Sequence, residues 1–401
     1  MSPCKDIRCV YVGCYTDAEH PCGLKALELD AATGAMSVVV EFPVANALSI
    51  ALSPDGRTLY SCSGGALVSF AANGPQLTPI DRIDVGVHLC HVASMPDGKR
   101  VVWADYLGGA AGSVEVEDGR FGRLVRHRHS GSGPNLPRQD APHCHQALPL
   151  PDGSGYCAVD LGLDKIVTYP EGRSYSPVRG QSPDFRGVSP PNLQGLSPNF
   201  RGLSPQITGP VPTQIGGLSP NILGPVPGAG PRHLLFHPNG YLAFLVYELA
   251  NMLTSLRWSR ANGFSLLDSA STILKSPNLP IPQSQNPKNL AAAIRLSPDG
   301  KRVVVSNRGE NSLVAFRFDE ATGALSDGVR TILPGDWPRE FIFVTDTLAL
   351  AAMERSGEIH ALRYDPPTGR FSAMGTVPQK NVGTVPGIHR PVALAIAQKD
   401  V

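Results

Sequence analysis

The chain has 401 residues, 42% hydrophobic and 17% charged, with a formal net charge of +1. That length can bury one large all-β domain or two smaller ones, and the near-neutral balance argues against a nucleic-acid binder working through a basic surface. No apolar run reaches membrane-spanning length. Glycine (42) and proline (38) are abundant and helix-favouring charged stretches are scarce, so many short strands and turns are expected. The eight cysteines (Cys4, Cys9, Cys14, Cys22, Cys62, Cys90, Cys144 and Cys157) follow no C-x-x-C spacing, so no metal site is expected from them. With no apolar leader after Met1, the reading is a cytoplasmic protein with reduced thiols.

In chain order, Lys5 to Asp17 (KDIRCVYVGCYTD) reads as a strand, and it aligns internally with Lys301 to Asn311, the second strand of a later unit. Glu28 to Ser37 (ELDAATGAMS) carries a turn signature that returns at Arg317 to Ser326 (RFDEATGALS) and Arg363 to Ser372 (RYDPPTGRFS). Leu48 to Tyr60 (LSIALSPDGRTLY) is strand, Pro-Asp-Gly turn, strand, with proline presetting φ and glycine supplying φ > 0. The same hairpin returns at Cys90 to Tyr106, His143 to Asp160 and Ala293 to Arg308, and with Pro-Asn-Gly at Leu234 to Val246. A last unit near Trp337 has Thr345-Asp346 in place of the turn. Four-stranded units recurring at roughly 40–50 residues indicate a β-propeller.

Six units begin near Ala47, His88, His143, Pro231, Leu290 and Trp337. The chain starts at a second strand, and Pro391 to Ala397 (PVALAIA) is an unpartnered inner-strand pattern at the other end. Joining the two ends in one blade removes the free edges and makes seven. The expectation is one all-β domain over 1–401, a seven-bladed propeller of four-stranded blades with both termini in the closing blade. Residues 174–228, rich in Ser-Pro repeats, read as an irregular or disordered insertion between blades.

If the Pro-Asp-Gly turns mark one rim, the starts of inner strands and the ends of second strands share the other. That rim collects His91 with Asp105 and Tyr106, and His143 and His145 with Asp160 and Asp164. It adds Arg232 and His233 with Glu248, Asn307, Arg308 and Glu310, then Arg339, Glu354 and Arg355, and His389 and Arg390 with Tyr15 and Asp17. Arg232, Arg308, Arg339 and Arg390, from four blades, suit a small anionic substrate at one channel mouth. His145 and Glu248 add groups able to move protons, the carboxylate being ionised among arginines.

These residues carry a resemblance. Gly230-Pro231-Arg232-His233, Phe236-His237-Pro238-Asn239, Glu248-Leu249, Val305-Ser306-Asn307-Arg308-Gly309 and Tyr11-Val12-Gly13-Cys14-Tyr15-Thr16 resemble the seven-bladed propeller lactonase family, over the whole chain apart from about 170–228. That family includes bacterial propeller-type 6-phosphogluconolactonases and the fungal carboxymuconate cyclases. The resemblance implies a site without metal or cofactor, with His145, Arg232, Glu248 and Arg308 as the catalytic set. The shared rim, rather than the resemblance, puts His91, Asp105, Tyr106, His233, Asn307 and Arg339 around the substrate. Ala293 and Tyr247 depart from the family pattern, where an acidic residue and an asparagine are usual.

Hydrolysis of an anionic sugar lactone is the leading expectation, above all 6-phosphogluconolactone to 6-phosphogluconate, a step of the pentose phosphate pathway. A carboxymuconate-type cyclase and a non-catalytic scaffold are the alternatives. A monomer or weak dimer, with no nucleic-acid or membrane partner, completes the reading.

Overall fold

The computed structural model describes residues 6–170, 221–222, 227–274, 289–374 and 384–397. Among these residues every regular element is a strand, and the strands form seven antiparallel sheets. Blades 1 to 6 start with inner strands Ile50–Leu52, Leu89–Ser94, Cys144–Pro149, Pro231–Phe236, Leu290–Leu296 and Pro338–Phe343. Blade 7 joins Pro391–Ile396 to Ile7–Cys14, Leu24–Asp30 and Met36–Phe42, with Val10 opposite Ile396 and Cys14 opposite Pro391. Each inner strand contacts the next, and the seventh contacts the first, so the ring is closed. Blade 6 carries an extra short strand, Thr384–Pro386, on its third.

The expected turns are present. In five hairpins the glycine N–H bonds the carbonyl three residues back (Gly56 to Ser53, Gly98 to Met95, Gly153 to Leu150, Gly240 to His237, Gly300 to Ser297). Their φ values of 68 to 79° are the left-handed conformation that glycine adopts without a Cβ penalty. The outer hairpins share a second bond, from Gly34, Gly323 and Gly369 to the carbonyls of Asp30, Asp319 and Asp365, each 2.7 Å. At Thr345-Asp346 the glycine is missing, yet the strands on either side still pair.

Second strands such as Leu242–Tyr247, Arg302–Arg308 and Leu348–Met353 are buried along their whole length, because a neighbouring blade covers each face. Outer strands such as Met36–Phe42 alternate instead. The apolar core is accordingly split into seven clusters, one at each blade interface. Each fully buried Leu, Val or Phe there contributes about 1.5–3 kcal/mol.

Residues Asn221–Ile222 pair with Lys165 and Ile166 as the fourth strand of blade 3. The Ser-Pro segment therefore joins the third and fourth strands of one blade, not one blade to the next. The rest of 174–228, apart from 227–228, lies outside the described residues, as does its expected irregular or disordered character.

One feature of the inner strands sets up the channel. In six of the seven, the register slips by a residue at the same level, between Leu89 and His91, Cys144 and Gln146, Pro231 and His233, Ala291 and Ile294, Pro338 and Glu340, and across Val392. Such a β-bulge places two residues opposite one and re-aims a side chain. The extra residues include His145, Arg232 and Arg339, all of which line the channel.

Candidate active site

The bulged residues meet a carboxylate from the next strand over. Glu248 follows Leu242–Tyr247, and its amide is fixed by the Gly230 carbonyl at 2.8 Å. Its Oε2 accepts from Arg308 at 2.8 Å and from Arg232 at 3.1 Å, while Oε1 accepts from Arg138 at 2.6 Å. Arg232 and Arg308 are held from behind as well. Arg232 Nη1 donates to the Ala292 carbonyl (2.8 Å), and Arg308 Nη2 donates to that of Ala291 (3.0 Å). The Arg308 guanidinium also lies 5.7 Å from the Trp337 ring centre. Beside this group, Glu354 accepts from Arg339 at 3.2 Å and Arg390 at 2.6 Å, and both guanidinium groups face the Tyr15 ring.

Burial would push the Glu248 carboxyl up, but the Arg308, Arg232 and Arg138 guanidinium groups outweigh it and hold the group well below the usual carboxylate range. Glu248 is thus a fixed anion. Arg232 is lowered by burial and then by Arg308, beyond what Glu248 restores, so it is short of negative charge.

His145 is buried, and its Nδ1 has no hydrogen-bond partner among the described residues. Burial first, then Arg232, hold it well below the ordinary histidine value, so it is a neutral imidazole. Its ring meets those of Tyr106 and His233 edge-on at 5.6 and 5.2 Å. His91 lies 6.0 Å beyond His233; burial, Arg295 and Arg232 push it down to about 3, and its Nδ1 is also without a partner. Arg295 and Glu340, paired at 2.7 Å, also line this cavity.

Eight of the ten expected site residues converge here: His145, Arg232, Glu248, Arg308, His91, His233, Arg339 and, through its hydroxyl on Arg138 (3.3 Å), Tyr106. Asp105 and Asn307 do not. Asp105 is fully buried, and it accepts from the amides of Val87, His88 and Gly108 at 2.9–3.0 Å and from Arg126 at 3.3 Å. Asn307 is consumed by Thr272 and Ser312. Asp105 has no acceptor capacity left for a ligand, and Asn307 is fully buried among its partners. The main addition is Arg138, from the connection between blades 2 and 3. That segment repeats no other part of the chain, so nothing in the sequence assigns it to the rim.

The family model described as lactonase, 7-bladed beta-propeller matches residues 9–177 and 219–385. A Bacillus subtilis protein named 6-phosphogluconolactonase is 29% identical over 377 residues, covering 91% of this chain and 93% of the other. Among solved structures, the Pseudomonas aeruginosa periplasmic gluconolactonase superposes with a TM-score of 0.75 at 23% identity, over 98% of this chain and all of that one, a likeness of fold. A protein from Lactobacillus plantarum gives 0.74 at 25% identity over 98% and 100%. The match of the family model across most of the blades, on a ring of seven such blades, shows that the chain belongs to the seven-bladed β-propeller lactonase family.

Proposed function

We propose that this lactonase opens a phosphorylated sugar-acid lactone, 6-phosphogluconolactone, to 6-phosphogluconate. The observation that carries this reading is charge. Five guanidinium groups at the channel mouth (Arg138, Arg232, Arg308, Arg339 and Arg390) share two carboxylates, Glu248 and Glu354. The positive excess suits a phosphate monoester, which carries about −1.5 to −2 at pH 7. The name of the Bacillus subtilis relative points to the same substrate.

In this reading the nearly buried Arg232 and Arg308 (3% and 5% exposed) polarise the lactone carbonyl and stabilise the oxyanion. The more exposed Arg138 and Arg390 (33% and 47%) take the phosphate. Neutral His145 accepts a proton as water adds to the carbonyl carbon. The tetrahedral oxyanion then collapses, the ring C–O bond breaks, and the imidazolium returns the proton to the leaving ring oxygen. Glu248, held ionised by three arginines, positions them and leaves the proton to His145. The oxyanion that develops beside Arg232 opposes its charge and so raises the basicity of His145 as the reaction proceeds.

The test compares 6-phosphogluconolactone with its unphosphorylated counterpart. Charge-assisted contacts to phosphate should favour the former by roughly ten- to a hundredfold in kcat/KM. Opening of both lactones no faster than in buffer would overturn the proposal, as would loss of a carboxymuconate's dienoate absorbance with no lactone opening.

A further inference from the structure

A second cluster of polar side chains lies where the two ends of the chain meet. Asp17 and His20 follow the second strand of blade 7, Ile7–Cys14, while His389 stands just before Pro391–Ile396, the inner strand of the same blade. Asp17 Oδ1 accepts from the amides of Glu19 (3.0 Å) and His20 (2.8 Å), and lies 3.0 Å from His20 Nδ1. Its Oδ2 lies 3.1 Å from His389 Nε2. The two imidazoles stack with centroids 4.2 Å apart and planes 2° from parallel. One ligand atom from each residue falls within 4.8 Å of the other two.

We infer that Asp17, His20 and His389 form a binding site for a borderline divalent cation, with Zn2+ the first choice. Two imidazole nitrogens and a carboxylate oxygen are a donor set suited to zinc, copper or nickel, and a water can complete the coordination. The two rings are parallel here, so binding one ion at about 2.0–2.2 Å requires them to rotate until their in-plane lone pairs converge on it. Asp17 and His20 are half exposed and His389 is 22% exposed, so the side chains have room to do so. The other compact group, His129, Cys144 and Asp160, already has an internal explanation. His129 bonds Asp160 on one nitrogen and the Tyr169 hydroxyl on the other, and Asp160 Oδ1 accepts from the amides of His143 and Leu163.

The ligands come from opposite ends of the sequence, so a bound cation links the loop after the first strand to the loop before the last. Binding to the folded ring alone adds directly to its stability. The site adjoins the lactonase centre: Arg390, next to His389, reaches that centre through Glu354.

The experiment is calorimetric titration of the EDTA-stripped full chain with ZnCl2, beside thermal melts with and without the metal. One equivalent should bind with micromolar affinity and raise Tm. His20→Ala and His389→Ala should each weaken binding at least tenfold and remove the rise in Tm, whereas Cys144→Ser should change neither. Absence of stoichiometric binding overturns the inference. So does binding that survives both histidine substitutions unchanged, or binding that disappears with Cys144.

Discussion

Blades 2 and 3 and blades 4 and 6 each place a carboxylate where the second strand runs out at the channel rim, and they use it in opposite ways. Asp105 and Asp160, the last residues of their strands, turn back and satisfy the amides of their own loops. Glu248 and Glu354 come one residue later and one methylene longer, and they reach arginines instead. The first pair is internally satisfied and builds walls. The second pair is outnumbered by cations and leaves a charge for a ligand to neutralise. A rim position is therefore necessary for a place in the site but not sufficient; what decides is whether the local backbone has already used the side chain.

Substitutions at the two kinds of position should separate activity from stability. The largest loss is expected for His145→Ala, about 10²–10⁴-fold in kcat, the usual worth of a general base. In the unsubstituted enzyme acting on an unphosphorylated lactone, whose own charge does not titrate in this range, kcat/KM should show no ionisation near pH 6.5. Activity should fall only as pH drops through the depressed value of the free His145, because protonation removes the base; a clear break near 6.5 would assign the base elsewhere. Next, Glu248→Gln should cost about 10²–10³-fold in kcat/KM by releasing Arg232 and Arg308 from their shared oxygen.

Arg138→Ala should raise KM for a phosphorylated lactone about tenfold and leave kcat little changed, since its guanidinium is a third exposed at the mouth. Asp105→Asn should leave kcat of the folded enzyme intact. It should instead lower unfolding free energy by about 1–3 kcal/mol in a denaturant titration, by weakening the acceptor for buried amides. An Asp105→Asn variant that folds normally but loses turnover would erase the distinction between the two groups of blades.

The ring itself was legible because its turns are local. Ser53-Pro54-Asp55-Gly56 and its repeats specify a hairpin within a few residues, and the unpaired patterns at Lys5 to Asp17 and Pro391 to Ala397 identify their shared blade. The convergence of His145, Arg232, Glu248 and Arg308 was legible for the same reason, since strand direction alone brings them to one rim. Asp105 and Asn307 were misplaced because burial and hydrogen-bond capacity depend on loops such as Val87-His88 and on Thr272, which periodicity does not locate. The bulges that turn His145 and Arg232 into the channel belong to register between strands, and Cys144-His145-Gln146 carries no composition that marks one. Arg138 needed the path of a non-repeating loop, and the pairing of His389 with Asp17 needed the closed ring.

The seam of blade 7 also bears on synthesis. Ile7–Cys14 leaves the ribosome long before its neighbour Pro391–Ile396 is made. At about 5–20 residues per second the early strand waits about 20–80 s for that partner. During that interval one side of it, with Val10, Tyr11 and Val12, can pair with Leu24–Asp30, while the other side stays open. An open apolar edge of this kind is a template for pairing with another nascent chain. The newborn protein therefore carries an open edge at Ile7–Cys14 that closes only when Pro391–Ile396 arrives.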